Sequence, residues 1–182
     1  MEKIIFLDID GVLNDNISKI SLDSIIVLKE IRDIHKAKIV IISSLQLNGN
    51  QYRRNQISEN LKKYGIYDLD FIDPNFEGNF LGVAIPSRVL GIVDYLKKIK
   101  DCCYVILDDD YHNDYKLLGL NYYQTKKWQG LTIKDLEKIF FKKATLNNFK
   151  HLTYSYRQLG EYEKITNDLV KVLRKIYFKK NY

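Results

Sequence analysis

The chain has 182 residues, of which 46% are hydrophobic and 29% charged, and its formal net charge is +6. One domain usually takes ~100–200 residues, and this composition excludes a disordered or fibrous chain. No apolar run reaches the ~18 residues of a membrane-spanning helix, and the N-terminal apolar run is too short for a signal peptide. We therefore expect a cytoplasmic protein. Export by a route that requires no signal peptide is an open alternative. The basic excess favours anionic partners.

Short apolar runs alternate along the chain with segments of helical periodicity. The runs predict buried strands, and apolar residues recurring every three or four positions predict helices. In chain order, the predicted elements are a strand at 4–7, a helix at 22–34 with Ser21 as N-cap, a strand at 38–42, a helix at 52–64, a loop with short strands at 66–86, a helix at 87–98, strands at 104–107 and 121–125, and a helix from Thr132 to about 143. This alternation predicts an α/β fold with a parallel sheet and helices on both faces.

The segment after about residue 146 differs in composition and is rich in Tyr and Lys. Its apolar residues recur at helical spacing, at Ile165, Leu169, Val172, Leu173 and Ile176. We therefore predict a core over 1–143 and a C-terminal helical extension over 144–182. The favoured interpretation is a helix that docks on the core. A basic amphipathic helix that contacts an anionic membrane or a protein partner is the alternative.

Oxygen-bearing side chains follow three of the predicted strands. Asp8 and Asp10 follow the first, Ser43 and Ser44 follow the second, and Asp108-Asp109 follows the third. Ligands of parallel α/β sheets bind outside the carboxyl ends of the strands, so these groups are expected at one rim. Up to four carboxylates would meet there, and they repel one another unless a cation is present or some of them are protonated. Hard oxygen ligands with room for water and phosphate suit Mg²⁺.

Such a cluster can support phosphoryl transfer. An aspartate beside a metal can act as the nucleophile and form an aspartyl-phosphate. A second acid two residues on can protonate the leaving group and later activate water. The Ser43 hydroxyl can bind a phosphoryl oxygen, and a cation, for which Arg88 is our choice, can neutralise charge in the transition state.

These residues carry a family resemblance. Asp8-Ile9-Asp10-Gly11-Val12-Leu13-Asn14 after an apolar strand resembles the first motif of the haloacid dehalogenase (HAD) superfamily, and Ser43, Arg88 and Leu107-Asp108-Asp109 follow in the order of its other three motifs. Over about residues 1–143 the chain most resembles the small HAD domains grouped with RNA-repair proteins, which share the Ser-Ser, the helix-opening Arg and the Gly-Leu-Thr at 130–132. HAD-like protein tyrosine phosphatases are a further resemblance. Family members commonly carry a Trp-Arg pair shortly after the Ser-Ser, but this chain has Leu45-Gln46-Leu47 there. An additional phosphate-binding arginine is therefore either missing or replaced by Arg53 or Arg54.

The resemblance implies a Rossmann-like fold of three α/β/α layers and a set of roles. Asp8 would be the nucleophile, Asp10 the general acid and base, Ser43 a phosphoryl-binding group, and Arg88 the residue that stabilises the phosphoryl charge and holds Asp8. Mg²⁺ is the implied cofactor. The implied metal ligands are Asp8, the backbone carbonyl of Asp10, and the fourth-motif acids, with Asp109 expected as the direct ligand and Asp108 beside it.

Chain length bears on the substrate. The resemblance raises the question of a cap domain, which HAD phosphatases often carry after the first motif or between the second and third. Asp8 and Ser43 are only 35 positions apart, which leaves no room for a cap domain between them. An open site admits a large substrate, so we expect a phosphorylated macromolecule, narrowly a phosphoprotein, with phosphotyrosine as one candidate. A phosphatase of nucleic-acid ends or nucleotides is the close alternative. The sequence also leaves open an inactive HAD scaffold that binds a membrane or a protein, and a phosphotransferase or small-sugar phosphatase.

Overall fold

The computed structural model describes residues 1–14, 20–43, 51–73, 75–99, 101–126, 129–145 and 149–156. The strands are β1 (Glu2–Leu7), β2 (Lys38–Ile41), β3 (Asp70–Phe71), β4 (Phe76–Phe80), β5 (Val83–Ala84), β6 (Cys102–Asp108), β7 (Tyr122–Gln124), β8 (Lys142–Lys143) and β9 (Leu152–Tyr156). The helices are α1 (Leu22–His35), α2 (Gln51–Lys62), α3 (Ser87–Lys98), α4 (His112–Leu117) and a 3₁₀ turn at Ile133–Asp135.

A mainly parallel sheet forms the centre of the fold. Its strand order is β3-β2-β1-β6-β7. In addition, β8 pairs with β6 near the amino-terminal end of β6. All pairs in the five-strand path are parallel, and only β8 runs antiparallel. The central strand β1 is apolar because both of its faces are covered, and residues 4–7 are fully buried. The predicted parallel α/β sheet is confirmed.

Helices cover both faces of this sheet, which gives the predicted three layers. Side chains alternate along β1, so Ile5 faces the core beneath α1 whereas Ile4 faces the core beneath α3. Burying one such side chain contributes ~1.5–3 kcal/mol to folding. The two cores together fix the strand ends at which the predicted site residues lie.

Helix α1 begins as the sequence predicts. The Ser21 side chain accepts a hydrogen bond from the Ser24 backbone N–H at 3.4 Å and so caps the helix. The helix ends at Lys36, whose left-handed backbone lets its N–H bond back to Arg32. Helix α3 occupies Ser87–Lys98, as predicted.

A second, smaller sheet lies against α3. Its strand order is β5-β4-β9, all antiparallel, and it buries Phe76, Phe80 and Leu152 in the same core as α3. β4 and β5, together with β3 of the main sheet, are the short strands predicted between 66 and 86. β9 belongs to the segment predicted as a helical extension, and it is a strand paired with β4. The predicted helical residues from 165 to 176 lie outside the described part of the chain, so the division at 143 stays a prediction.

The helix predicted from Thr132 to about 143 is wrong. Thr132 does cap a turn, because its side chain and that of Asp135 form a capping box, but only the 3₁₀ turn at Ile133–Asp135 follows. The Asn121 side chain then binds the Phe140 carbonyl at 2.9 Å, and Lys142–Lys143 pairs with β6. These tertiary hydrogen bonds replace the helical ones and override the local preference.

Two smaller points concern the rest of the described chain. Cys102 and Cys103 are free thiols, as expected of adjacent cysteines in a strand. None of the described helices is long and apolar enough to cross a membrane.

Candidate active site

The ends of β1 and β6 bring three carboxylates together. The two strands are parallel neighbours with Leu7 opposite Leu107, and the Asp8 N–H donates to the Leu107 carbonyl at 2.9 Å. This register places Asp8 beside Asp108 and Asp109. One oxygen from each of these three carboxylates lies within 4.8 Å of the other two. The expectation that acids from separate strand ends meet at one rim is therefore confirmed for these three residues.

Arg88 bridges two of these acids. Its Nη1 lies 3.0 Å from Asp8 Oδ2 and 2.9 Å from Asp108 Oδ2. Arg88 is the second residue of α3, so the helix start positions it against the ends of β1 and β6. The arginine is 4% exposed and Asp8 3% exposed, so the bridge is inside the protein. One guanidinium thus compensates part of the charge of two buried carboxylates.

Burial, together with the negative charge of Asp108, raises the pKa of Asp8 to about 7, although Arg88 and the Ile9 N–H oppose the rise. The Ile9 N–H donates to Asp8 Oδ1 at 2.8 Å. The pKa of Arg88 is raised by both carboxylates despite its burial. A pKa near neutrality means that Asp8 would hold a proton part of the time, and a nearby cation favours the charged form.

Asp108 is held by three donors. Its Oδ2 accepts from Arg88 and, at 2.6 Å, from the Tyr115 hydroxyl, and its Oδ1 accepts from the Asp110 N–H at 2.9 Å. Tyr111 lies against the same arginine, with its ring centre 4.7 Å from the guanidinium carbon. Tyr111 and Tyr115 were not predicted from the sequence.

Gly11 allows Asp109 to approach the loop that follows β1. A Cβ atom on Gly11 would lie 2.2 Å from the Asp109 carboxyl, and the Gly11 φ of +74° also disfavours a side chain. The Thr125 hydroxyl donates to the Gly11 carbonyl at 2.9 Å and fixes the loop from the other side. The absence of a side chain at Gly11 therefore leaves room for the Asp109 carboxyl in the acid cluster.

Asp10 lies apart from the three clustered carboxylates. Its side chain is exposed, and its Oδ1 accepts from Asn14 Nδ2 at 2.8 Å. Asn14 Oδ1 in turn accepts from the Gly11 N–H at 2.8 Å, which orients the amide. The predicted group of four carboxylates is therefore a group of three among the described residues, and Asp10 lies outside it, bonded to Asn14.

Ser43 follows β2 and is fully buried beside the central strand. The described part of the structure does not include Ser44, the Leu45-Gln46-Leu47 segment or the Arg53 side chain. Arg54 is placed with its guanidinium over the Phe71 ring at 5.3 Å, at the end of edge strand β3. Whether Arg53 or Arg54 binds phosphate therefore stays a prediction.

The three carboxylates suit a hard divalent cation. Asp8 and Asp108 are buried and Asp109 is half-buried. Their carboxylates lie close together, and Arg88 is paired with only two of them, Asp8 and Asp108. The donors are all carboxylate oxygens, which Mg²⁺ prefers. Arg88 Nε is buried without a partner among the described residues. The three carboxylates themselves fit Mg²⁺.

Comparison with known families agrees with this geometry. The family model described as "HAD domain in Swiss Army Knife RNA repair proteins" matches residues 4–136, which is well over half of the chain. The chain belongs to this HAD family. The match includes all of the residues that build the site, from Asp8 to Thr125. No curated protein matches the chain, and no solved structure does either.

Proposed function

We propose that this HAD domain is a Mg²⁺-dependent phosphomonoester hydrolase that works through an aspartyl-phosphate. The observation that carries the proposal is the placement of Asp8 in contact with Arg88 and within 4.8 Å of two further carboxylates. A nucleophilic carboxylate needs its charge and a fixed orientation, and this arrangement supplies both once a cation is bound. Family membership supports a hydrolase of the phosphatase type.

The bond changes follow from the residues present. A carboxylate oxygen of Asp8 attacks the phosphorus, the bond from phosphorus to the leaving oxygen breaks, and Asp10 gives that oxygen a proton. Water then attacks the aspartyl-phosphate with Asp10 taking its proton, and inorganic phosphate leaves as the Asp8 carboxylate is regenerated. Asn14 holds Asp10 for both proton transfers. Arg88 neutralises charge on the phosphoryl oxygens, and Ser43 binds one of them.

Asp8, Asp109 and the Asp10 backbone carbonyl would hold the Mg²⁺, with Asp108 beside them. When bound, the ion neutralises phosphoryl charge and keeps Asp8 ionised. Asp108 already accepts from Arg88, Tyr115 and Asp110, which supports the assignment of Asp109 as the direct ligand of the pair.

The proposed substrate is a terminal phosphate of a nucleic-acid strand, with RNA preferred over DNA. The described segments between Asp8 and Ser43 contain α1 and β2, and the β4–β5 hairpin before Arg88 packs on α3, so neither forms a separate cap domain. An open site suits a long strand. The family description names RNA repair, and the net charge of +6 favours a polyanion. These two points shift our preference from the phosphoprotein that the sequence alone narrowly favours.

A substrate panel tests this proposal. The full chain with Mg²⁺ is given 5′- and 3′-phosphorylated RNA and DNA oligonucleotides, mononucleotides and phosphotyrosine peptides at equal concentration, and released phosphate is measured. We expect kcat/KM to be highest for one of the oligonucleotide ends. Preference for the peptides would replace the nucleic-acid proposal with a protein phosphatase. Preference for mononucleotides would overturn the argument from the open site. No release from any substrate would favour the inactive binding scaffold.

A further inference from the structure

A buried tyrosine contacts one acid of the cluster. Tyr115 belongs to α4, is fully buried, and donates its hydroxyl to Asp108 Oδ2 at 2.6 Å. Asp108 Oδ2 is also the atom that accepts from Arg88 Nη1 at 2.9 Å. The same Arg88 nitrogen lies 3.0 Å from Asp8 Oδ2. Four side chains from β6, α4, α3 and the end of β1 thus form one continuous chain of contacts.

We propose that Tyr115 is a positioning residue, which acts through Asp108 to fix the Arg88 guanidinium against the nucleophile Asp8. This inference rests on the proposed phosphatase function, because it assigns Tyr115 a part in that reaction. The Tyr115 hydroxyl bonds to Asp108 and not to the nucleophile Asp8. Its effect on the reaction passes through one carboxylate oxygen and one guanidinium nitrogen.

The geometry explains why a donor is needed at this point. A carboxylate can turn about its last bond, and a guanidinium shared between two acids can move toward either of them. Because Tyr115 and the Asp110 N–H each hold one oxygen of Asp108, the plane of this carboxylate is fixed from two sides. Arg88 Nη1 then has one position that satisfies both Asp108 and Asp8. Tyr111 covers the guanidinium face and restricts it further.

Tyr115 also has a packing role, which the test has to separate from positioning. Its ring lies in the core that contains α3, and it contacts the Tyr122 ring with centres 5.8 Å apart. Tyr115→Phe keeps the ring and removes only the hydroxyl. Tyr104→Phe is the matched control. Tyr104 is buried in the same core, and its hydroxyl accepts from the Asn121 N–H at 3.1 Å, away from the acids.

The first readout is steady-state kinetics of the full chain with Mg²⁺ and p-nitrophenyl phosphate. We expect Tyr115→Phe to lower kcat by about 10-fold, within the range caused by small misplacements of catalytic groups, and to change KM by less than about twofold. Tyr104→Phe should leave kcat unchanged. Asp108→Asn should also lower kcat, and adding Tyr115→Phe to it should have little further effect, because both changes act on one contact. The inference would be overturned if the two substitutions lowered kcat additively in the double variant, or if Tyr104→Phe lowered kcat as much as Tyr115→Phe.

The second readout does not require activity, so it separates this inference from the proposed function. Arginine side-chain NMR of the metal-free protein reports the exchange rate and rotation of the Arg88 Nη protons. We expect slow exchange in the wild type and in Tyr104→Phe, and clearly faster exchange in Tyr115→Phe. If the wild type hydrolyses no phosphomonoester, the phosphatase proposal fails and this measurement alone decides whether Tyr115 fixes Arg88. Unchanged Arg88 signals in Tyr115→Phe would refute the positioning role.

Discussion

Arg88 and Asp8 form a buried ion pair with 3.0 Å between Nη1 and Oδ2, although 80 positions separate them in the chain. The pair exists because α3 begins where β1 ends, at the carboxyl edge of the sheet. Asp108 shares the same guanidinium nitrogen from the neighbouring strand. The contact joins the strand that carries the proposed nucleophile to the helix that carries the proposed phosphate-binding cation, so we expect both stability and the proposed activity to depend on it.

Removing the arginine should destabilise the metal-free protein. Arg88→Met keeps much of the side-chain volume but leaves Asp8 and Asp108 buried without their cation, and breaking a buried pair in this way costs about 3–5 kcal/mol. Urea unfolding at neutral pH in EDTA measures the loss. The control is Lys98→Met, which removes the ion pair between the exposed Lys98 and the half-buried Asp94 and should cost at most ~1 kcal/mol. Equal losses in the two variants would mean that the Arg88 bridge is not a buried interaction.

The raised pKa of Asp8 predicts a pH dependence of stability in EDTA. Its carboxyl titrates near 3.8 when unfolded and at about 7 when folded, so the folded state binds more protons between these values. The contribution of Asp8 is fully present at acid pH and is lost as the pH rises toward 7. We therefore expect the unfolding free energy of the wild type, relative to that of Asp8→Asn, to decrease across this window and then level off. A constant difference between the two proteins from pH 4 to 8 would refute the raised pKa.

The close contact of Gly11 with Asp109 predicts a metal-binding defect. Gly11→Ala would place a Cβ atom 2.2 Å from the Asp109 carboxyl. We expect the displaced carboxylate to lower Mg²⁺ affinity by about 10- to 100-fold, the range seen when groups that orient metal ligands are changed. Isothermal titration calorimetry with Mg²⁺ measures this change.

Gly82→Ala is the control for backbone strain. Gly82 has a φ of +83°, close to that of Gly11, but a Cβ there would meet nothing within 4 Å. Both substitutions should cost roughly 1 kcal/mol of stability from the left-handed backbone alone. Only Gly11→Ala should weaken Mg²⁺ binding. Equal Mg²⁺ affinities in the two variants would show that Asp109 is not a ligand of the metal.

Much of the fold was predictable because it follows from local periodicity. The apolar runs of β1, β2 and β6 and the spacing in α1 and α3 identify buried elements whatever their neighbours are. The order of strand ends then placed Asp8, Asp108 and Asp109 at one rim. The structure brings these three together as predicted, and Arg88 with them.

The parts that the sequence did not reveal depend on long-range contacts. The segment after Thr132 has helical spacing, but pairing of Lys142–Lys143 with β6 and the bond from Asn121 decide its conformation. Tyr115 resembles any other core tyrosine in the sequence, and only its contact with Asp108 separates it from the rest. Asn14 is part of the first motif, three residues after Gly11, but nothing in the sequence singles it out. Its hydrogen bonds with Gly11 and Asp10 show that it orients the Asp10 side chain.

Phosphate release by the wild type and by Asp8→Asn tests the central claim most directly. Both full-length proteins are incubated with Mg²⁺ and a 5′- or 3′-phosphorylated RNA oligonucleotide, and inorganic phosphate is measured over time, with an EDTA control. We expect release by the wild type only with Mg²⁺, and a loss of at least about 10³-fold in Asp8→Asn, because removal of a nucleophile disables the whole catalytic unit. Asp8→Asn protein that releases phosphate as fast as the wild type would contradict the account.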